Sequence, residues 1–381
     1  MTHFWTQIRA DYDLPTDFIQ LENGYYNVLP RPTLEAYQRH IAELNRSGSY
    51  YMRTRFAGDM ERLQTLTAEA VGCPPENLVL TRNTTESIGM VLNGFPWRRG
   101  DHVILSCVDY GAMRDLFRKQ ARVHEIEVTE LELPNGSKST AEVLAHYERA
   151  ITPRTRMIHL PHLVHLTGEI LPVKEICDLG RRRNIPVFID GAHAVGMLDF
   201  RIADLGATLY ASSLHKWMAC PLGTGLLHLA DGWAERITPP YPDYQLPQDT
   251  ATRLSHFGTF GVPAMLTIPD AVAYYRRMGG ARKEARLREL TGRWLERVKD
   301  LDRIVVNTPL DGARYCAIAN VGFEHISPKE LHRTLLDEFG IWTVAIDEPC
   351  VRGVRVTVNV FNTIEEVDQL AAVLETISRR G

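Results

Sequence analysis

Strand-sized apolar runs alternating with helical stretches predict an α/β protein. Its main sheet is expected to be mostly parallel and covered by helices on both faces, with a smaller α+β part at the end of the chain. Three observations carry that expectation. Runs such as Val187-Phe-Ile-Asp190 and Gly225-Leu-Leu-His-Leu229 are apolar almost throughout, as strands buried on both faces are. Segments with apolar residues three to four apart, such as Met60, Leu63, Leu66 and Ala70, lie between such runs. The alternation stops near residue 238, where Pro239-Pro240-Tyr-Pro242 opens a proline-rich loop that extends to Pro247.

In chain order, the first twenty residues read as a polar and aromatic lead-in. Asn23-Gly24 and Leu29-Pro30-Arg31-Pro32 then punctuate the chain as turns. A helix is expected from Gly58 to Val71, a strand over Asn77–Thr81 and a helix from Thr84 to about Leu92. Then come a strand at His102–Ser106, a helix at Ala112–Gln120, a strand at His124–Val128 and a helix at Thr140–Ala150. Strands come next at Arg156–Leu160, Pro186–Asp190, Thr208–Ala211 and Gly225–Leu229, with a helix at Val173–Arg183 between the first two. A long helical stretch runs from Ile268 to about Val298, interrupted at Gly279-Gly280. The last part reads as strands at Cys316–Val321, Ile341–Val344 and Val354–Val360, with helices at Pro328–Glu338 and from Thr363. Ser327 with Glu330, and Asn362 with Glu365, have the spacing of a helix cap.

The chain has 381 residues, which suggests two or three domains at roughly 150 residues each. A hydrophobic fraction of 44% and a charged fraction of 24% are those of an ordinary globular protein and argue against disorder, collagen or a coiled-coil rod. The net charge is −4, with no basic tract, which disfavours a dedicated nucleic-acid binder. No apolar run approaches the ~20 residues a bilayer requires, so no membrane partner is expected. The first residues lack a charged stretch followed by an apolar one, and no signal peptide is read there. The six cysteines stand singly and form no CxxC pair. Neither a zinc site nor a disulfide framework is expected, and a reducing cytoplasm is the simplest compartment.

Three features fall at strand ends, the edge where open α/β sheets bind ligands. In Ala211-Ser-Ser-Leu-His-Lys-Trp217, Lys216 comes after a strand beside Ser213 and His215, and a buried lysine with a lowered pKa can condense with a carbonyl. In Val187-Phe-Ile-Asp190-Gly-Ala-His193-Ala, a carboxylate closes an apolar strand, as is needed to keep a pyridine nitrogen protonated. In Leu80-Thr81-Arg82-Asn83-Thr84-Thr85-Glu86, a strand runs directly into a helix start, where free N–H groups favour a phosphate. Taken singly, these residues read as a solvated lysine, a turn cap and a helix cap.

Together and in this order they resemble the class V aminotransferase family of fold-type I pyridoxal phosphate enzymes, the branch of isopenicillin N epimerases and cysteine desulfurases. The likeness runs from about Leu21 to the C-terminus. It implies a large cofactor domain (residues 21–255) with a mostly parallel seven-stranded sheet flanked by helices, and a smaller α+β domain (1–20 with 256–381). It implies an internal aldimine at Lys216, with Asp190 against the pyridine nitrogen. Phosphate contacts fall to Thr84, Thr85, Ser213 and His215. His193 falls beside the cofactor's phenolic oxygen, and Tyr110 where an aromatic ring stacks on the pyridine. His165 stands where relatives carry Asn or Ser; it can still donate a hydrogen bond, but it titrates. Gly258-Thr259 matches a segment that reaches the partner subunit's phosphate, implying a homodimer with composite sites, although Phe257 replaces a frequent Glu. Arg355 falls where a guanidinium binds the substrate carboxylate, and Asn23-Gly24-Tyr25 where the N-terminal segment closes over the substrate. A cationic cluster for phosphate and carboxylate is therefore expected inside the site.

The implied substrate is an amino acid and the implied reaction epimerase-like or a transamination. A carbon–sulfur β-lyase acting on a cysteine derivative stays open, as does a non-catalytic cofactor-binding protein, against which the set Lys216, Asp190 and Arg355 argues. Cysteine desulfurases carry a mobile cysteine on a loop well before the carboxylate arginine. Here Cys350 precedes Arg355 by only five positions, so that loop reads as deleted. Cys350→Ala is expected to leave turnover nearly intact, and loss of all turnover in a steady-state assay would restore the desulfurase reading.

Overall fold

The computed structural model describes residues 2–133 and 139–380. Its strands, in chain order, are β1 (Ile19–Gln20), β2 (Leu78–Thr81), β3 (His102–Ser106), β4 (Glu127–Leu131), β5 (Thr155–Pro161), β6 (Val187–Asp190), β7 (Leu209–Ser213) and β8 (Gly225–Leu229), then β9 (Ile304–Val306), β10 (Ile318–Phe323), β11 (Ile341–Trp342), β12 (Val344–Glu348) and β13 (Val351–Thr357). Neighbouring residues of the apolar runs face opposite ways. Val103, Leu105, Met157 and Phe188 join one buried cluster, while Ile104, Ile158, Val187 and Ile189 join another on the other face. Both faces are thus covered, which is why these strands show no polar alternation.

The large sheet has seven strands in the order β2-β8-β7-β6-β5-β3-β4. Pairings from β4 through β3, β5 and β6 to β7 are parallel, and β8 runs antiparallel to both its neighbours, β7 and β2. The ends of β2, β3, β5, β6 and β7 therefore meet at one edge. There the chain must turn tightly. Gly191, just after β6, has no room for a side chain, because a Cβ there would run into the Tyr210 ring.

A second sheet, β12-β13-β10-β9, is antiparallel, and β1 pairs in parallel with β11. The lead-in is not irregular: Thr2–Arg9 is a helix. Eight residues are too few to hold a helix alone in water. Trp5 and Ile8 are buried in the cluster that contains Trp294, Phe361 and Leu370, at about 1.5–3 kcal/mol each, and Arg9 bonds Glu366 at 2.7 Å. The helices Arg31–Ser47 and Ser49–Thr54 are not among the expected elements, and they bury little: in the first, only Thr33 and Ala36 are buried. Among the described residues no helix is long and apolar enough to cross a membrane.

Several boundaries move. The strand expected at 124–128 is β4, because the preceding helix runs on to His124 and ends with Glu125 in the left-handed conformation (φ 53°). The strand expected at 341–344 splits into β11 and β12, and the strands expected at 316–321 and 354–360 shift to β10 and β13. The last helix is capped by Thr363 with Glu366, one residue beyond the Asn362–Glu365 pair. The Asn362 carboxamide instead accepts from the Asn359 backbone N–H at 2.7 Å. Ser327 caps its helix as expected, accepting from the N–H of Glu330.

Gly168 (φ 79°) lies against β10, where a Cβ would overlap the Ile318 carbonyl oxygen. Gly168→Ala is expected to lose more than about 1 kcal/mol of stability. Gly58 is helical with open space around it, and Gly58→Ala should gain about 0.5–1 kcal/mol. Thermal melting of the two variants, moving in opposite directions, checks both.

Candidate active site

The edge where the strand ends converge bounds a cavity of ≈ 420 Å³. Lys216, Asp190, His193, His165, Tyr110 and Arg355 line it, and so do Thr84, Thr85, Ser213, His215, Gly24 and Tyr25. Asn23 and Thr259 do not. The Asn23 side-chain N–H is donated to the Thr357 carbonyl at 2.7 Å, and Thr259 is exposed outside the cavity. Tyr25, 78% exposed, stands at the rim.

Lys216 is held from both sides. The turn that carries it is pinned by Asn27, whose side-chain N–H is donated to the Lys216 carbonyl at 2.6 Å. Its Nζ lies 3.0 Å from His193 Nε2. Burial lowers the amine from its ordinary range to about 8; Asp190 opposes that shift and Arg355 adds to it. The His193 tautomer is set by its other neighbour. Trp217 Nε1 is 3.3 Å from His193 Nδ1, and an indole N–H can only donate. Nδ1 therefore accepts and the ring proton sits on Nε2, facing Nζ. Burial, reinforced by Lys216, pushes His193 well below its usual pKa and keeps the ring neutral. A neutral ring donating from Nε2 suits an unprotonated amine.

Asp190 is 7% exposed, and one of its oxygens accepts from the Ala192 N–H at 2.9 Å. Burial raises its pKa, against the pull of His159, the Ala192 N–H and Lys216. Behind it lies a network that the sequence did not announce. His159 Nδ1 meets Asp109 at 2.7 Å, with both side chains fully buried. The other Asp109 oxygen accepts from the Ser106 N–H at 2.7 Å and its hydroxyl at 2.6 Å. The only trace in the sequence is a histidine inside the apolar strand Arg156-Met-Ile-His159-Leu.

At the end expected to take the phosphate, Asn83 caps the helix Thr84–Gly94 by accepting from the Glu86 N–H. Ser213 Oγ accepts from the Thr84 N–H at 3.0 Å and lies 2.7 Å from the Thr84 hydroxyl. A serine hydroxyl thus covers the helix N–H, on the spot where an anion would bind. His215 Nδ1 donates to the Thr224 carbonyl at 3.2 Å, and burial lowers this ring to about 4. Tyr110 packs edge-on to His165, ring centroids 5.2 Å apart, and is 46% exposed. Burial, with Arg355 and Lys216 adding, lowers His165 to about 3.

The expected cationic cluster is largely compensated. Arg355 bonds Glu22 at 2.8 Å and the His165 carbonyl at 3.1 Å. Arg82, also on the cavity wall, is paired with Glu86. Glu22 and Asn27 belong to the site although no motif marks them, because each acts on a residue more than 180 positions away. Cys350 lies outside the cavity lining, with its Sγ 3.8 Å from the Cys107 carbonyl.

A lysine amine facing a strand-end carboxylate across a buried cavity, with hydroxyls at a helix start and an arginine beyond, defines an enzyme site built for an aldehyde cofactor that carries a phosphate. The residues present fit pyridoxal phosphate. The chain belongs to the family described as aminotransferase class-V, whose model matches residues 28–370, and it is a pyridoxal phosphate-dependent enzyme. It is 28% identical to isopenicillin N epimerase of Streptomyces clavuligerus, over 98% of both chains. It is 25% identical to a putative L-cysteine desulfhydrase 2 of Oryza sativa subsp. japonica, over 68% of this chain and 58% of the other. Its fold matches a cystine C–S lyase solved with its product cysteine persulfide, with TM-score 0.85, 21% identity and coverage of 94% of this chain and 98% of that one.

With cofactor-free protein, uptake of pyridoxal phosphate should rise with pH through a midpoint near 8, because only the unprotonated amine attacks the aldehyde. Trp217→Phe frees His193 to place its proton on Nδ1 and to accept from a protonated lysine. That stabilises the charged amine, so the midpoint should move upward. Absorbance-monitored loading across pH tests both statements, and an unmoved midpoint would show that Trp217 has no hold on the lysine.

Proposed function

We propose that the enzyme acts on an amino acid held between Lys216 and Arg355, with an epimerase-like or transaminase outcome. One observation carries this reading: a lowered, hydrogen-bonded lysine amine lines the same cavity as Asp190 and a buried arginine. Bound pyridoxal phosphate supplies an aldehyde for amines and a ring that draws electrons from the substrate's α-carbon. Asp190 holds the ring nitrogen's proton, and a cation there reverses the upward push of burial on the carboxylate. Tyr110 would offer a face for the ring, and His193 and His165 would hold the cofactor's oxygen. Thr84, Thr85 and Ser213 bind the phosphate, while His215 binds it in its doubly protonated form, which an adjacent dianion favours. Lys216 Nζ then takes a proton from the α-carbon and returns it. Arg355 orients the carboxylate, with Gly24 and Tyr25 over it and Asn23 fixing their segment.

The same reading makes residues 21–255 the cofactor domain and 1–20 with 256–381 the smaller one. It also makes the enzyme a homodimer of the cytoplasm. Support for the dimer comes from apolar side chains left exposed on the N-terminal helices (Leu34, Ile41 and Tyr50) and from Thr259, which a partner's cavity would use. The six cysteines, free of disulfides, suit a reducing compartment. A second reading, a C–S β-lyase on a cysteine derivative, is supported by the likeness to the putative L-cysteine desulfhydrase. Among the described residues no cysteine lines the cavity, and β-elimination needs no thiol acceptor.

Lys216→Ala should lower turnover at least about 10²-fold, the scale of losing a positioned base. Incubating the wild type with single amino acids in D2O decides the outcome. Exchange of the α-hydrogen with inversion supports epimerisation, and keto-acid formation supports transamination. Pyruvate with ammonia from cysteine derivatives supports the lyase. No α-exchange with any amino acid would end the reading.

A further inference from the structure

Glu22 is a buried carboxylate that no motif accounts for. Its Oε1 accepts from the N–H groups of Gly24 and Tyr25, each at 3.0 Å, and from Arg355 Nη2 at 2.8 Å. Its Oε2 faces Arg355 Nε and the Thr357 hydroxyl, both at 3.4 Å. The side chains of Arg355 and Glu22 are only 10% and 8% exposed. Arg355 arises on β13, over three hundred positions from Glu22, and both Arg355 and Gly24 line the cavity.

A guanidinium has two edges able to grip a carboxylate, Nε with one Nη, and the two Nη together. Glu22 fills the first. Arg355 Nη1 gives one hydrogen to the His165 carbonyl at 3.1 Å. Each Nη carries two hydrogens, so one on each nitrogen is engaged by neither Glu22 nor the His165 carbonyl. Glu22 does not depend on Arg355 for its place, because backbone N–H groups hold it. We propose that Glu22 is a positioning residue: it grips Arg355 along one edge and thereby presents the other edge to the substrate carboxylate. The internal carboxylate orients the guanidinium and does not compete for it. A long, flexible side chain is thus set before substrate arrives, and the ordering entropy is already spent.

This inference rests on the function proposed above, and the test separates the two. Aminooxyacetate and O-methylhydroxylamine both condense with a bound aldehyde, but only the first carries a carboxylate. Rates of absorbance change are measured for the cofactor-loaded enzyme with each probe. Glu22→Gln should slow aminooxyacetate about tenfold, the scale of one charge-assisted hydrogen bond, and leave O-methylhydroxylamine unchanged. Glu22→Asp, which keeps the charge but not the reach, should show the same pattern with a smaller fall, and it carries the comparison if the Gln variant does not fold. Equal or faster reaction of Glu22→Gln with aminooxyacetate overturns the inference while the proposed function stands. A wild type that responds to neither probe overturns both.

Discussion

The site depends on one constraint: an amine and a carboxylate sit at the ends of adjacent parallel strands in a buried space. β6 ends at Asp190 and β7 leads to Lys216, so their proximity is a property of the sheet and not of a flexible loop. Burial disfavours both charged forms, lowering the lysine and raising the aspartate. Each is the shift the chemistry uses. The amine becomes available near neutral pH, and the carboxylate is ready to be stabilised by a ring cation. The tight turn at Gly191 and the grip of Asn27 on the Lys216 carbonyl keep this geometry from relaxing.

Protonation is then passed outward by hydrogen-bond logic. Trp217 can only donate, so His193 places its proton toward Lys216. His215 gives its Nδ1 proton to the Thr224 carbonyl, leaving Nε2 to take a proton when an anion arrives. On the far side of Asp190, the Asp109–His159 pair supplies a polarisable partner within the core. Its two members act on the Asp190 carboxyl in opposite directions, His159 lowering its pKa and Asp109 raising it.

Much of this was legible in the chain because local sequence carries it. The parallel sheet was readable because strands buried on both faces are apolar throughout. Asp190 was readable because it closes such a run, and Lys216 because it follows one in company with Ser213 and His215. Residues that act across the fold left no local trace. Glu22 resembles any loop acid until β13 brings Arg355 to it. Asn27 resembles a turn residue until it meets the Lys216 carbonyl. The helix Arg31–Ser47 has apolar residues at helical spacing (Leu34, Ile41 and Leu44), but Leu34 and Ile41 stay exposed in the single chain, so this stripe is not one the core explains. The cap at Thr363 was missed by one residue because Asn362 and Thr363 both suit the role, and Asn362 is taken by the Asn359 loop.

Compensation of the fixed charges bears on which groups would hold the phosphate in the proposed reading. Arg82 is tied to Glu86 and Arg355 to Glu22, so neither is a free cation facing the anion. What remains at that end is uncharged until an anion arrives: the N–H groups at the helix start, the hydroxyls of Thr84, Thr85 and Ser213, and the neutral His215 ring, which would gain its charge with the phosphate. The Ser213 hydroxyl accepts from the Thr84 N–H; in the proposed reading the hydroxyl would rotate to donate to the phosphate and leave that N–H available to it. Neutral donors at a helix terminus bind a dianion through directed hydrogen bonds and the helix dipole. Free cations would also attract the substrate carboxylate to the wrong end of the cavity. In the proposed reading, separating a dipolar phosphate site from an oriented Arg355 would let one small space distinguish two kinds of anion. It also explains how a chain of net charge −4 assembles an anion-binding site with few unpaired cations.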